Sequence, residues 1–202
     1  MQVELSGGMQ MQWKFKDKEL KKVLDNLVVI VDSRENANQH IIDFFNKKKI
    51  PYVVEKLPFG DYSCKIKAGS FEGQERDIYF TNDFVVERKA SIDEICGNLK
   101  NDAARLKKEL AHLNKYDIEF YIFLEDENYE LNLRNANYRS QYDAFTLMQR
   151  IYKGIEAEYN TMVIPVPKQC MGSKIYYFLQ ARVYNLLKHV GYILESEVKD
   201  ID

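Results

Sequence analysis

The chain has 202 residues, 46% of them hydrophobic and 30% charged, a composition typical of one folded domain with a sizeable core. No apolar run approaches 18 residues and the first residues lack the pattern of a secretory signal, so we expect neither a membrane span nor secretion. The net charge of −2 gives no overall basic surplus, so any binding to nucleic acid must depend on local patches or on a partner.

The cysteines and histidines show no metal-binding or redox pattern. Cys64, Cys96 and Cys170 are far apart and form no C-x-x-C pair, and the three histidines are scattered. Reduced thiols of this kind are typical of a cytoplasmic protein, or of a nuclear one if the source is eukaryotic.

The first half of the chain is predicted to begin with an extension and continue as strands around one helix. Residues 1–26 form the extension, poorly ordered up to residue 12 and with a short helix over 14–26; residues 27–202 form the domain. The apolar run 27–31 predicts a strand buried on both faces. A helix over 36–49 follows, and then strands over 52–57, 62–67 and 78–89, which we expect to form a meander. The last of these strands is either continuous or interrupted at 81–83.

The second half is predicted to alternate helices and strands. A short helix after Ser91 precedes a helix over 102–115, a buried strand over 118–124 and the strongest helix of the chain over 139–159, in which Phe145 is expected to face the core. Pro165 places the short strand 162–165 at a sheet edge, and a helix over 174–190 follows. This order predicts an α/β fold, with a mixed central β-sheet flanked by helices.

Three acidic residues fall at the ends of the predicted strands. Asp32 ends the first buried strand, Asp61 precedes the third and Glu87 lies near the end of the fourth. We expect these carboxylates to converge on one rim of the sheet. Hard oxygen ligands in an open site suit Mg²⁺ or Mn²⁺, and a metal site of this kind suits the hydrolysis of phosphodiesters.

The run Glu87-Arg88-Lys89 is the most informative stretch of the sequence. Because strands alternate their faces, Glu87 and Lys89 should point one way and Arg88 the other. Lys89 could hydrogen-bond an attacking water, help to deprotonate it, or stabilise the transition-state charge, and the sequence leaves these three roles open. Taken alone, the run is equally typical of a solvated charge cluster.

Three sequence blocks together resemble a known family. The segments VDSRE at 31–35, GDY at 60–62 and VERKASID at 86–93 are similar to the signature blocks of the XPF-type structure-specific nuclease domain, within the PD-(D/E)XK superfamily. The resemblance covers roughly residues 27–165. It implies a restriction-endonuclease-like core and a divalent-metal-dependent DNA endonuclease acting on branched, flapped or junction DNA, with roles in repair or recombination.

The resemblance also implies roles for individual residues. Asp32, Asp61 and Glu87 would be the metal ligands, and Lys89, Asp61 and Glu87 the catalytic residues. Supporting residues would be Glu35, Arg88 and Asp93, and the candidate DNA-binding residues are Arg34, Arg105 and Lys108. Glu125, at the end of a predicted strand, is a weaker candidate for the same rim.

The sequence departs from the family pattern in two places. The gap from Asp61 to Glu87 is long, because the 68–77 loop is extended, and no glycine-marked tandem helix-hairpin-helix follows residue 174. We therefore expect either a partner that supplies DNA binding or a minimal nuclease. A homodimer through the C-terminal helices is expected from the family, and the alternative function is a catalytically silent DNA-binding or scaffold subunit.

Overall fold

The computed structural model describes residues 12–193 and the side chains of residues 14–192. The strands are β1 (Gln12–Trp13), β2 (Leu27–Asp32), β3 (Tyr52–Glu55), β4 (Tyr62–Ile66), β5 (Ile78–Tyr79), β6 (Phe84–Lys89), β7 (Glu119–Leu124), β8 (Met162–Pro165) and β9 (Tyr192–Ile193). The helices are α1 (Asp17–Leu24), α2 (Gln39–Lys48), α3 (Ile92–Asn101), α4 (Ala103–Lys115), α5 (Tyr129–Arg134), α6 (Ala144–Ile151) and α7 (Met171–His189).

The central sheet is mixed, and its strands lie in the order β3-β2-β4-β6-β7-β8, with β5 paired to β4. The predicted meander is wrong in one respect, since β3 and β4 are not neighbours: β3 pairs in parallel with β2, and β4 pairs antiparallel with the other edge of β2. The crossover through α2 explains this, because a β-α-β unit places its second strand parallel and beside the first. As predicted from Pro165, β8 lies at an edge.

Helices cover both faces of the sheet, and each face has its own apolar core. One core joins α1, α2 and α7 to the sheet and contains Leu20, Phe45 and Ile175. The other joins α3, α4 and α6 to the sheet and contains Ile95 and Leu110, among others. Every residue of β2 is buried, as its continuous apolar run predicts.

The helix predicted over 139–159 is shorter and less regular than expected. It begins at Ala144, because the Asp143 carboxylate accepts a hydrogen bond from the Thr146 backbone N–H and caps it. The prediction for Phe145 was wrong: its side chain is 66% exposed, and Leu147 and Ile151 form the inner face instead. Residues 152–157 form a π-helical turn, which interrupts the 3.6-residue period.

The predicted extension is described only from residue 12 onward. The prediction of poor order over residues 1–12 lies outside the described part except at Gln12, which belongs to strand β1. Gln12 and Trp13 form an antiparallel pair with Ile193 and Tyr192. Helix α1 packs on α7, with Leu20 in the first core. Among the helices within residues 12–193, none is long and apolar enough to cross a membrane.

Candidate active site

Asp32, Asp61 and Glu87 lie at one rim of the sheet, where β2 ends, β4 begins and β6 ends. The backbone N–H of Asp32 donates to the carbonyl of Asp61 at 2.8 Å, and the N–H of Asp61 donates to the carbonyl of Val86 at 2.8 Å. Gly60 permits this close approach, because its φ is +66° and an added Cβ would lie 3.1 Å from the Val86 carbonyl oxygen. The three acids therefore share one rim, as the strand order predicts.

Asp61 is held in an environment that opposes its negative charge. Burial, followed by the charges of Glu87 and Glu35, raises the pKa of Asp61 to about 8. Two interactions favour the charged form: the backbone N–H of Arg88 donates to Asp61 Oδ2 at 2.8 Å, and the positive charge of Lys89 lies nearby. A carboxyl group with such a raised pKa in a cleft is typical of a functional site.

Lys89 pairs with Glu87 on the same face of β6. Its Nζ donates to Glu87 Oε1 at 2.5 Å, and both side chains are largely buried. Burial by itself would lower the pKa of Lys89, but the charge and hydrogen bond of Glu87 and the charge of Asp61 outweigh it, and the pKa is raised. Lys89 is therefore an ammonium group at neutral pH, which favours its two roles as a cation over a role as a base.

Asp32 differs from the other two acids because both of its oxygens have partners. Oδ1 accepts from the Arg34 backbone N–H at 2.7 Å and from Nε at 2.8 Å, and Oδ2 accepts from Arg34 Nη2 at 2.9 Å and from the Leu57 N–H at 2.7 Å. Burial raises the pKa of Asp32, but these bonds outweigh it and the net shift is downward. In this structure, Asp32 organises the loops around Arg34 and Leu57.

The part of the chain that the structure describes contains no cluster of three or more His, Cys, Asp or Glu side chains placed to hold a metal ion. Of the three predicted ligands, Asp61 and Glu87 are brought close enough to repel each other, whereas Asp32 is engaged by Arg34. A divalent cation beside Asp61 and Glu87 would offset that repulsion, so these two carboxylates suit such an ion. The metal ligand set stays a prediction.

Arg88 lies on the opposite face of β6, as the alternation predicts. It is buried, and its Nη2 lies 3.1 Å from Glu35 Oε1 while its Nη1 lies 3.3 Å from Glu125 Oε1. His40 Nε2 lies 2.5 Å from the same oxygen of Glu125. Glu125 therefore sits at the predicted rim but on the face of Arg88, where it balances the buried guanidinium.

Asp93 acts at a distance from the paired acids. Its carboxylate accepts from the Ser140 backbone N–H at 2.7 Å and from Arg139 Nε at 3.3 Å, and so ties the loop before α6 to the start of α3. Asp93 therefore holds a loop in place without contacting the acids, and the supporting role predicted for it stays a prediction.

A cavity of about 540 Å³ opens at this rim, and one face of α4 forms a wall of it. Asp32, Asp61 and Glu87 line the cavity together with all three candidate DNA-binding residues, Arg34, Arg105 and Lys108. Arg105 is exposed, and its Nη2 lies 3.7 Å from Asp102 Oδ2. The guanidinium of Arg34, in contrast, forms an ion pair with the Asp32 carboxylate. The cavity therefore places two cationic side chains of α4 opposite the paired carboxylates.

Glu109 also lines the cavity and was missed by sequence reasoning. Burial and then the charge of Glu87 raise its pKa, so it adds a third acid near the pair. Its spacing of four residues from Arg105 places both on one helical face, which is the signal that could have identified it.

Comparisons with known proteins agree with this architecture. No curated protein matches the chain. Among solved structures, the chain is similar to XPF from Aeropyrum pernix in complex with DNA, with 15% identity, a TM-score of 0.51 and coverage of 78% of this chain. A second structure, XPF from Aeropyrum pernix, gives 16% identity, a TM-score of 0.49 and 79% coverage. The chain spans 66% of the length of each of these proteins.

The likeness in structure shows that the chain has the XPF nuclease-like fold, a mixed sheet flanked by helices. The ERCC4 domain matches residues 31–176, which include the ends of β2 and β6, the cavity wall on α4 and the start of α7. This chain therefore belongs to the ERCC4 domain family.

Proposed function

We propose that this protein is a divalent-metal-dependent DNA endonuclease that hydrolyses phosphodiester bonds in branched, flapped or junction DNA. The observation that carries this proposal is the grouping of Asp61, Glu87 and the Lys89 ammonium at one rim of an ERCC4 domain. Two close carboxylates can hold a divalent ion, and a neighbouring cation can stabilise the charge that develops on phosphate, which together suit metal-assisted hydrolysis of a phosphodiester.

Asp61 and Glu87 would hold Mg²⁺ or Mn²⁺, and Asp32 could join them only if Arg34 released its carboxylate. When bound, such an ion supplies a Lewis acid for the phosphate and lowers the pKa of a bound water. Lys89, kept protonated by Glu87, would orient that water or stabilise negative charge on the phosphate oxygens.

Arg105 and Lys108 are proposed as phosphate contacts, because they lie on the cavity wall that faces the acids. Support for DNA as the substrate comes from the similar XPF structure, which is a complex with DNA. A protein acting on DNA would work in a compartment that holds it, the cytoplasm or the nucleus, and a partner that adds DNA binding would compensate for the net charge of −2.

Replacing Lys89 with alanine is expected to slow cleavage by about 10²–10³-fold, because the ammonium group paired with Glu87 at this rim is lost. Labelled flap, fork and linear DNA would be incubated with Mg²⁺ or Mn²⁺ and the wild type, Lys89→Ala, Asp61→Ala or Lys107→Ala. Lys107 is an exposed lysine of α4 outside the cavity wall, so its variant controls for loss of one positive charge.

The wild type should cut flap or fork DNA and Lys107→Ala should match it. A wild type inactive with both metals, or cleavage by Lys89→Ala and Asp61→Ala at the wild-type rate, would contradict the enzymatic function. Binding of DNA without any cleavage would indicate a silent DNA-binding subunit instead.

We further propose that the protein forms a homodimer through its C-terminal elements. Tyr177 on α7 and Met162 on the edge strand β8 are more than half exposed, and an apolar groove between these elements is lined by Pro165 and Phe178. Size-exclusion chromatography with light scattering should show a dimer at micromolar concentration. A monomer throughout that range would argue against this interface.

A further inference from the structure

Three aromatic rings form a row beside the candidate active site. The ring of Phe59 lies 5.0 Å from the ring of His112, and the ring of His112 lies 4.6 Å from that of Tyr116, measured between centroids. Phe59 is half-buried just before the loop residue Gly60, His112 is exposed on α4, and Tyr116 is exposed directly after the last residue of that helix. We call Phe59, His112 and Tyr116 the aromatic row.

The aromatic row continues the cavity along the outside of α4. Phe59 and His112 line the same cavity as Asp61 and Glu87. Tyr116 lies one helical turn beyond His112, so the row runs from the acids toward the far end of the helix. It is therefore placed where a chain bound at the acids would leave the cavity.

Cationic side chains accompany the rings along this path. Arg105 and Lys108 line the cavity on the same helical face as His112, and Lys115 Nζ lies 5.2 Å from the centre of the Tyr116 ring. Surfaces that bind single-stranded nucleic acid combine positive side chains for the phosphates with aromatic rings for the bases. Bases in a duplex are stacked on one another, so the rings can receive only unpaired bases.

Core packing explains only part of the aromatic row. Phe59 packs against the core on the α4 side of the sheet, which accounts for its half-buried state. His112 and Tyr116 contribute to neither buried core, and Tyr116 is 57% exposed. These two rings contact one another and are exposed on the surface, where an unpaired base can stack against the row.

We infer that the aromatic row stacks on unpaired bases of a single DNA strand that leaves the active-site cavity along α4. This inference rests on the proposed nuclease function and deepens it, because it assigns the part of a flap or fork that the protein holds next to the cutting site. It makes the aromatic row a determinant of substrate choice.

The test measures binding without cleavage, in EDTA, by fluorescence anisotropy. The probes are a labelled 12-nucleotide oligothymidine and the same strand with abasic sites in its middle, which keeps the phosphates and removes the bases. The proteins are the wild type, Phe59→Leu/His112→Ala and Phe145→Ala. Leucine keeps the apolar packing of residue 59, and Phe145 is an exposed ring of α6 that controls for loss of an aromatic side chain.

We expect Phe59→Leu/His112→Ala, which lacks two rings, to bind oligothymidine at least about fivefold more weakly than the wild type, the smallest loss expected when a single stacking ring is removed. Both proteins should bind the abasic strand equally, and Phe145→Ala should match the wild type on both strands. Equal binding of oligothymidine by the double variant and the wild type would overturn the inference. So would an equal loss of affinity for both strands.

A second measurement needs no variant. A strand carrying 2-aminopurine should lose fluorescence on binding to the wild type, because stacking on an aromatic ring quenches this base, and unchanged fluorescence on binding would count against the aromatic row. Failure of the nuclease proposal is recognised separately, since binding by the aromatic row can persist when flap and fork DNA are not cut. Conversely, cutting can persist when these binding tests fail.

Discussion

Replacing Asp61 with asparagine is expected to abolish cleavage and yet stabilise the metal-free protein. Burial and Glu87 raise the pKa of Asp61 to about 8, from 3.8 for an ordinary aspartate. Between pH 4 and 8 the folded protein therefore holds a proton that the unfolded chain releases. The free energy of unfolding should fall as the pH rises through this window, by at most about 1.4 kcal/mol per pH unit.

The asparagine introduced by Asp61→Asn would be neutral at every pH, and its Oδ1 can still accept the hydrogen bond from the Arg88 N–H. The stability advantage of Asp61→Asn over the wild type should therefore grow from pH 5 to pH 8. Urea unfolding in EDTA at several pH values measures it. Mg²⁺ or Mn²⁺ at pH 8 should then raise the melting temperature of the wild type more than that of the variant.

Asp93→Asn is the matched control, because burial of Asp93 is outweighed by hydrogen bonds from Ser140 and Arg139, which lower its pKa. The pH dependence of its contribution to stability therefore has the opposite sign: the stability that Asp93 contributes is present above pH 4 and is lost as the pH falls. Asp93→Asn should thus be less stable than the wild type at neutral pH. If the stability advantage of Asp61→Asn did not change with pH, the inference that burial and Glu87 raise the pKa of Asp61 would be wrong.

Replacing Arg88 with methionine is expected to destabilise the protein by about 3–5 kcal/mol at neutral pH, since removal of one member leaves buried charges uncompensated. Arg88 lies between Glu35 and Glu125, and both Arg88 and Glu125 are almost fully buried. Methionine keeps much of the side-chain volume, so loss of charge dominates the effect.

Urea unfolding of Arg88→Met, Arg88→Met/Glu125→Gln and Arg139→Met separates charge from packing. The double variant should recover part of the stability, because one uncompensated carboxylate is removed. Arg139 is 91% exposed and pairs with Asp93 at the surface, so Arg139→Met should change the free energy of unfolding by about 1 kcal/mol or less. Equal losses for Arg88→Met and Arg139→Met would exclude a structural role for the buried cluster.

The fold could largely be predicted, because its strands carry strong local signals. The continuous apolar run of β2, the proline of β8 and the alternation along β6 each depend on a few neighbouring residues. The position of β3 could not be read from the order of strands, since the same order permits β3 on either side of β2. The parallel pairing with β2 settles the question through a contact across the α2 crossover.

The rim position of Asp32, Asp61 and Glu87 was also predictable, because it follows from which strand ends each residue occupies. The hydrogen bonding of the Asp32 carboxylate could not be predicted, because it depends on where the Arg34 side chain and the Leu57 N–H lie in the folded protein. Glu109 was overlooked for a related reason. A carboxylate on a helix face is ordinary in sequence, and only the packing of α4 against the rim brings it near Glu87.

The alternation along β6 has a consequence for insertions and deletions. Glu87 lines the cavity and pairs with Lys89 on the same face of the strand, while Arg88, between them, contacts the buried acids Glu35 and Glu125. Two unlike charge environments are therefore separated by one residue of register. A slip by one position would place the arginine beside Asp61 and bury Glu87 or Lys89 among Glu35 and Glu125. An insertion or deletion between Phe84 and Lys89 should therefore disrupt folding, because the shift of register moves these charges to the wrong faces of the sheet.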